Sequence, residues 1–273
     1  MGDSLLENPL SVASPWDWVA DDYVEINLPL LGMFSEALMA KVVLRPHMRV
    51  VDVATGPGTL ACRLAPFVRQ VDAVDFSPAM LAKCRGRARG LRNVIAIAGD
   101  GQALPYRDGI FDLGFSMFGL MFFPDRIQGF RELHRVLRPG AQAFVAAWGP
   151  LEKSPLMLAR AAAVRAADPE APSPAKHVLA LEDVDVFAME MRAAGFIDVQ
   201  IEPLYREREF KNLDGLIQGL TRGNAPFEVF RHEMGEAAWN GRLAKIRDHL
   251  STMGPFPLRL GVTANVGSGR KAK

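Results

Sequence analysis

The sequence predicts an α/β protein built on an open, mostly parallel sheet, and three observations carry that prediction. From Arg49 to Trp148, short apolar runs alternate with stripes of helical period, the pattern of parallel strands joined by helical crossovers. The first run, Val50-Val51-Asp52-Val53, breaks into Ala54-Thr55-Gly56-Pro57-Gly58, a turn with almost no side-chain bulk. The runs end on Asp52, Asp75, Asp100 and Ser116-Met117-Phe118. In a parallel sheet these ends share one edge, and open sheets of this kind bind ligands there.

Taken in order, residues 1–15 read as an arm without periodicity, holding Pro9 and Pro15. Within an N-terminal lid, residues 1–45, come Trp16, Trp18 and Tyr23, and then Leu28, Leu30, Leu31, Phe34, Leu38 and Val42 at helical steps. The core spans 48–148. Its strands are Arg49–Val53, Val71–Asp75, Val94–Ala98, Phe111–Ser116 and Ala143–Trp148. The first crossover helix places Leu60, Leu64, Phe67 and Val68 on one face. Ser77-Pro78 supplies an N-cap and a first-turn proline for the next, and Gly90 its stop. A third carries Ile127, Phe130, Leu133, Val136 and Leu137 and stops at Arg138-Pro139-Gly140. The rhythm then breaks. Residues 151–180, with Pro169, Pro172 and Pro174, and the mostly helical 211–253 read as two insertions that add to the cap. Between them lie a helix from Glu182 to Ala194 and a strand Ile197–Ile201; a last strand falls within Leu258–Val266.

Composition narrows the function classes. The chain has 273 residues, 49% hydrophobic and 23% charged, with a net charge of +1. That suits a single domain over 1–273 and argues against a nucleic-acid partner. Cys62 and Cys84 match no metal spacing and suit a reducing, cytoplasmic setting. The start lacks the pattern of a signal peptide. The most apolar stretch, Phe115 to Pro124, is about half the length a membrane span needs. A small-molecule partner is expected, no membrane span and no metal; a homodimer is compatible with the sequence.

The acids indicate what the sheet edge holds. Asp75 follows Gly58 by 17 positions, a spacing at which a carboxylate accepts ribose hydroxyls in nucleoside-binding sheets. Asp100, within Gly99-Asp100-Gly101, suits an adenine amino group. Asp52 can orient the loop or meet a cationic ligand. No triphosphate cradle is present, and the third glycine of the dinucleotide fingerprint is replaced by Ala61. Spacing alone therefore leaves two ligands, a nicotinamide dinucleotide and an adenosine cofactor without pyrophosphate.

The residues also resemble a family. Val51-Asp52-Val53-Ala54-Thr55-Gly56-Pro57-Gly58, Val74-Asp75-Phe76-Ser77-Pro78-Ala79-Met80-Leu81, Gly99-Asp100-Gly101-Gln102-Ala103-Leu104-Pro105-Tyr106 with Phe111-Asp112, and Arg131 to Gly140 are similar to the ordered motifs of class I S-adenosylmethionine-dependent methyltransferases. The Asp-Val-Ala-Thr-Gly form and Phe118-Gly119-Leu120 resemble most the ubiquinone/menaquinone biosynthesis type. The resemblance implies a three-layer Rossmann-like sheet of about seven mostly parallel strands with an antiparallel last strand, under a helical cap from the N-terminus and the two insertions. It implies S-adenosylmethionine as cofactor, S-adenosylhomocysteine as product, and cofactor contacts from Asp52, Ala54, Gly56, Gly58, Asp75, Phe76, Met80, Asp100, Gly101, Met117 and Phe118. Within it, Gly56 and Gly58 underlie the methionine part, Asp75 holds the ribose, Phe76 lies against the adenine, Asp100 and Gly101 meet its edge, and Met117 and Phe118 line the sulfonium. Ala54 departs from the glycine common in the wider family, and Pro57 removes an N–H donor from the loop.

Methyl transfer from a sulfonium is an in-line displacement with a good leaving group, so a protein base is needed only where the acceptor must lose a proton. The candidates for one are Tyr23 in the lid and His177 and His232 in the insertions; His47 lies at the wrong end of the sheet and His134 in a crossover helix. Met33, Phe34, Met121, Phe122, Phe227 and Phe230 would make the acceptor pocket moderately apolar if half of them face the strand ends. Two rival readings stand at this point: a nicotinamide-dependent oxidoreductase, and a cofactor-binding protein of this fold that does not methylate.

Overall fold

The computed structural model describes residues 8–171 and 179–273. Seven strands form one sheet: β1 (Arg49–Val53), β2 (Gln70–Asp75), β3 (Val94–Ala98), β4 (Phe111–Met117), β5 (Leu137–Trp148), β6 (Ile197–Phe210) and β7 (Leu258–Arg270), in the order β3-β2-β1-β4-β5-β7-β6. β1 to β5 pair in parallel, and β7 runs antiparallel to both β5 and β6. Strand order reverses between β1 and β4, which opens a crevice beyond their carboxyl ends. Central strands carry apolar side chains on both faces: Val50 belongs to one core, Val51 and Val53 to the other.

The helices are α1 (Ser14–Ile26), α2 (Leu28–Met39), α3 (Ala61–Leu64), α4 (Pro78–Arg87), α5 (Arg126–Val136), α6 (Pro155–Ala167), α7 (Val184–Ala193), α8 (Leu213–Thr221), α9 (Ala225–Met234) and α10 (Glu236–Ser251). One core joins side chains of α2, α3, α6, α8 and α10 to the sheet, and the other joins those of α5 and α7. These are the outer two of three layers. A third, smaller cluster of Leu10, Val19, Ala20, Met80, Ala225 and Val229 locks α1 between α4 and α9. Ser77 Oγ caps α4 by accepting from Met80 N–H at 3.0 Å, as its sequence predicts. No helix among the described residues is long and apolar enough to cross a membrane.

Several elements differ from expectation for identifiable reasons. Helix α3 has a single turn, because Pro66 in the following 3₁₀ turn ends it; Phe67 rotates outward and is 52% exposed, while Leu60, Leu64 and Val68 stay buried. β5 starts six residues early. Leu137 pairs with Phe111 and Gln142 with Leu113, so Arg138-Pro139-Gly140-Ala141 bulge out of the ladder, with Gly140 at φ +79°. β6 runs nine residues past Ile201, through Glu202-Pro203-Leu204-Tyr205-Arg206-Glu207-Arg208-Glu209-Phe210. This is an edge strand; Glu202, Glu207 and Glu209 are exposed and protect the open edge, while Arg208 Nη1 donates to Ile26 O at 2.8 Å. The insertions lie mainly on a sheet face: Leu156, Ala159, Ala163, Leu216, Ile246 and Leu250 join the larger core. Pro172, Pro174 and His177 lie outside the described residues.

Two non-glycine residues in the left-handed region flank the crevice, Ala54 after β1 (φ +55°) and Phe118 after β4 (φ +61°). They bring the two chain reversals together so closely that a Cβ on Gly119 would stand 2.3 Å from the Cβ of Ala54. Gly119 itself has φ −108°, so space rather than backbone conformation demands glycine there. Gly119→Ala will therefore cost roughly 1–3 kcal/mol in urea unfolding. Adding Ala54→Gly will return most of that loss, because it removes the opposing methyl and the left-handed strain together; simple additivity of the two changes would contradict the contact.

Candidate active site

The crevice is one open cleft whose empty space, mouth included, is about 1010 Å³. Its floor is the loop after β1, with Ala54, Thr55, Gly56, Pro57 and Thr59, and the segment after β4, with Met117, Phe118 and Gly119. Asp75, Phe76, Met80, Asp100, Gly101 and Gln102 also line it. Apolar side chains complete the lining: Leu10, Trp16, Tyr23 and Leu31 from the N-terminal segment, with Phe122 and Phe123, the latter close beside Gly101. Gly56, at φ +54°, has nothing within 4 Å of the position its Cβ would take. Its missing side chain leaves room where a ligand can reach the backbone.

Of the eleven residues expected at the cofactor, ten line this cleft. Gly58 does not. A Cβ there would meet Cys84 Sγ at 2.7 Å and Cys62 Sγ at 3.4 Å, so this glycine, at φ +73°, seats the loop on α4. Spacing could not separate a glycine that opens space from one that closes a packing gap. Sequence reasoning did not assign Thr55, Thr59, Gln102, Leu10 or Phe123 to the site, whereas Trp16, Tyr23 and Leu31 belong to the expected N-terminal lid. Of the six soft side chains expected at the acceptor pocket, Phe122 alone lines the cleft; Phe34, Met121 and Phe227 are buried in cores. His232 is also outside the lining. It stacks on Trp18 with ring centroids 3.7 Å apart. Among the described residues, no histidine, lysine or arginine lines the cleft.

The lid is tied down by hydrogen bonds and ring contacts. Asp17 Oδ1 accepts from Ser77 Oγ at 2.5 Å and from Ala79 N–H at 3.1 Å, which fastens α1 to the start of α4. Lys83 and Asp21 pair farther along. Asn8 Nδ2 donates to Phe122 O at 2.9 Å and Trp16 Nε1 to Leu10 O at 2.9 Å. Trp16 then meets Phe122 edge-to-face at 5.0 Å and Tyr23 at 6.5 Å.

Two carboxylates at the strand ends are buried, 1% exposed for Asp52 and 5% for Asp75. Asp75 accepts from Gly56 N–H at 2.7 Å and Ser77 N–H at 2.9 Å. Burial raises its pKa to about 6, with Asp17 adding to the rise and the backbone donors opposing it. Burial pushes Asp52 to about 7; Thr55 opposes this, and the charge of Asp75 adds to it. Thr55 Oγ1 donates to Asp52 Oδ2 at 2.6 Å. The Ala61 N–H at the head of α3 also opposes the rise at Asp52, and Thr59 Oγ1 is buried with no partner among the described residues. Burial first and Asp75 second hold the Tyr23 hydroxyl well above the ordinary phenol range.

Residues 50–140 match the family model described as a methyltransferase domain. The chain is 33% identical over 238 residues to a demethylmenaquinone methyltransferase of Mycolicibacterium gilvum, covering 82% of this chain and 98% of that protein. The chain belongs to the class I S-adenosylmethionine-dependent methyltransferases, of the quinone-biosynthesis type. A second relative of the same description, from Corynebacterium kroppenstedtii, is 35% identical over 146 residues, which span 52% of this chain and 62% of that one. Among solved structures, YcgJ of Bacillus subtilis shares the fold at a TM-score of 0.58 and 19% identity, covering 88% of this chain and 99% of its own. The protein is an enzyme that transfers a methyl group from S-adenosylmethionine to a small organic acceptor, and the nicotinamide reading loses its support. The cleft fits the cofactor: open space above Gly56 and a lining that holds Asp52, Asp75 and Asp100 suit a bulky cation.

The buried acids make the ligand-free protein pH-sensitive. Both folded pKa values lie above the ordinary 3.8, so the folded state keeps its protons longer than the unfolded chain. Their stabilising contribution is complete below about pH 4 and declines as pH rises through the windows ending near 6 and 7. Asp52→Asn will therefore gain stability relative to wild type between pH 5 and pH 8, on the order of a few kcal/mol, when urea midpoints are compared. A difference that does not change with pH would show that Asp52 is not strained by its charge.

Proposed function

We propose that the acceptor is a neutral, moderately apolar aromatic compound of the demethylmenaquinone class. The observation that carries this reading is the set of apolar side chains, Leu10, Trp16, Tyr23, Leu31, Phe122 and Phe123, that line the cleft together with its carboxylates. An anionic acceptor would meet carboxylates and no lining cation, at a Coulomb cost; a flat aromatic ring would gain edge and face contacts. The names of the two relatives support the same class.

In this proposal Asp75 takes the ribose hydroxyls, Phe76 packs against the adenine, and Asp100 with Gly101 meets its edge. Ala54 and Gly56 underlie the amino-acid part, Met80 lies beneath the adenosine, and Met117 and Phe118 border the methyl group. The bound cofactor supplies an electrophilic methyl on a sulfonium, with a neutral thioether as leaving group. The protein's share is alignment and the exclusion of water, which the fastened lid provides. Tyr23 stays protonated at neutral pH and so acts as a hydrogen-bond donor toward the acceptor rather than as a base; the proton that the acceptor gives up as its bond to the methyl carbon forms passes to water at the open mouth of the cleft. One domain carries the whole site, with the lid over the strand ends and α9 behind it.

The test is transfer of a labelled methyl group from S-adenosylmethionine to the reduced demethylated quinone, set against glycine-type amines and phosphorylated amino alcohols. Label is expected in the quinol, with Trp16→Ala raising the acceptor KM roughly tenfold or more and S-adenosylhomocysteine affinity unchanged. Label confined to an amine or a phosphorylated acceptor would sink the proposal.

A further inference from the structure

The amino ends of the strands carry a surface that the cleft does not use. β1, β2 and β3 are parallel neighbours, so the chain enters all three at one end of the sheet, opposite the cleft. The three entering segments are tied together there. Arg69 N–H and Gln70 N–H donate to Met48 O at 2.9 and 3.4 Å, which joins the approach to β2 to the approach to β1. Asn93 Nδ2 donates to Ala65 O at 2.7 Å and to Val68 O at 3.0 Å, which joins the approach to β3 to both ends of the Pro66-Phe67 turn.

This surface is cationic in a nearly neutral chain. The net charge is +1, yet residues 41–51, 61–71 and 76–99 contain no aspartate or glutamate. Arg45, Arg69, Arg89 and Arg92 are exposed, and no carboxylate among the described residues pairs with any of them. The acids at the same end, Asp72 on β2 and Asp108 and Asp112 at the start of β4, already pair with Arg49, Arg135 and Arg138. Apolar side chains stand among the free cations: Val43 is 66% exposed, and Phe67 is 52% exposed. An ordinary solvated face mixes charges of both signs and carries few such side chains.

The combination has one partner that uses both halves of it. At an anionic bilayer, lipid phosphates lie level with the guanidinium groups, and hydrocarbon begins just beneath, where a phenyl ring and an aliphatic side chain gain by burial. A polynucleotide offers the phosphates but no hydrocarbon layer for Val43. We propose that the face formed by the approaches to β1, β2 and β3 docks this protein on an anionic lipid surface, with Arg45, Arg69, Arg89 and Arg92 on the phosphates and Phe67 and Val43 in the interface. This is peripheral docking and needs no spanning helix. The cleft lies at the other end of the sheet, so it stays open to water while the protein is docked.

Co-sedimentation of the full chain with phosphatidylcholine vesicles, with and without about 30 mol% phosphatidylglycerol, tests the proposal. Wild type will bind the anionic vesicles roughly tenfold or more tightly than the neutral ones, and about 0.5 M salt will remove most of that difference. Arg89→Glu combined with Arg92→Glu will abolish the preference. Phe67→Ser will weaken binding roughly severalfold and keep the preference for anionic lipid. Urea midpoints will stay near that of wild type, because the substituted side chains are exposed. Equal binding to both vesicles, a preference that survives the charge reversal, or no vesicle binding at all overturns the proposal. So does binding of an oligonucleotide that depends on Arg89 and Arg92 while vesicles are ignored, which would assign the arginines to nucleic acid.

Discussion

The Asp75 carboxylate is the point on which the site depends. One oxygen accepts from Gly56 N–H in the loop after β1 and the other from Ser77 N–H at the head of α4. Ser77 caps α4 and, through its hydroxyl, holds Asp17 of the lid. A single buried acid thus connects the glycine loop, the second crossover helix and the N-terminal helix. Burial raises the pKa of Asp52 and Tyr23, and the charge of Asp75 adds to the rise at both. Geometry and electrostatics of the cleft therefore have a common origin at the end of β2.

That arrangement is costly for the empty fold. Burial raises the pKa of both Asp52 and Asp75, with Asp75 adding to the rise at Asp52 and Asp17 to that at Asp75, and two non-glycine residues hold left-handed backbone at the sheet's switch point. Proteins tolerate such features where a ligand or a reaction uses them. A sulfonium cofactor does so directly, because its positive charge stabilises the ionised acids that the empty cleft disfavours. The large core beneath, from Val50 to Val262 on one face and from Val51 to Phe196 on the other, offsets the penalty.

Much of this was legible in the sequence because apolar runs that end in acids mark both a strand and its carboxyl end. The first four strands and the ends Asp52, Asp75 and Asp100 stand where the pattern put them. The pattern failed where the physical signal is not periodic. The outer half of β6 is a charged edge, stabilised by pairing with β7 rather than by its own hydrophobicity. Phe67 follows a helical stripe on paper, but Pro66 turns it outward. Gly58 and Thr59 are adjacent in the loop, yet one faces sulfur atoms and the other the cleft, a distinction set by φ angles that no spacing encodes.

The acceptor side was the least legible part, and the structure explains why. The apolar lining that an acceptor would meet comes from residues 10–31 and 122–123, which are distant in sequence; Asn8 to Phe122 O joins the two segments, and Trp16 to Leu10 O fixes the N-terminal one. Neither bond leaves a motif. The second insertion contributes no side chain to that lining among the described residues, but Ala225 and Val229 of α9 press on Val19 and Ala20 and hold α1 against Met80. The insertion therefore sets the lid's position without lining the cleft itself among the described residues. In this architecture the core fixes the cofactor chemistry, and acceptor choice can change through N-terminal aromatics such as Trp16 and Tyr23 without disturbing Asp75 or the loop it holds.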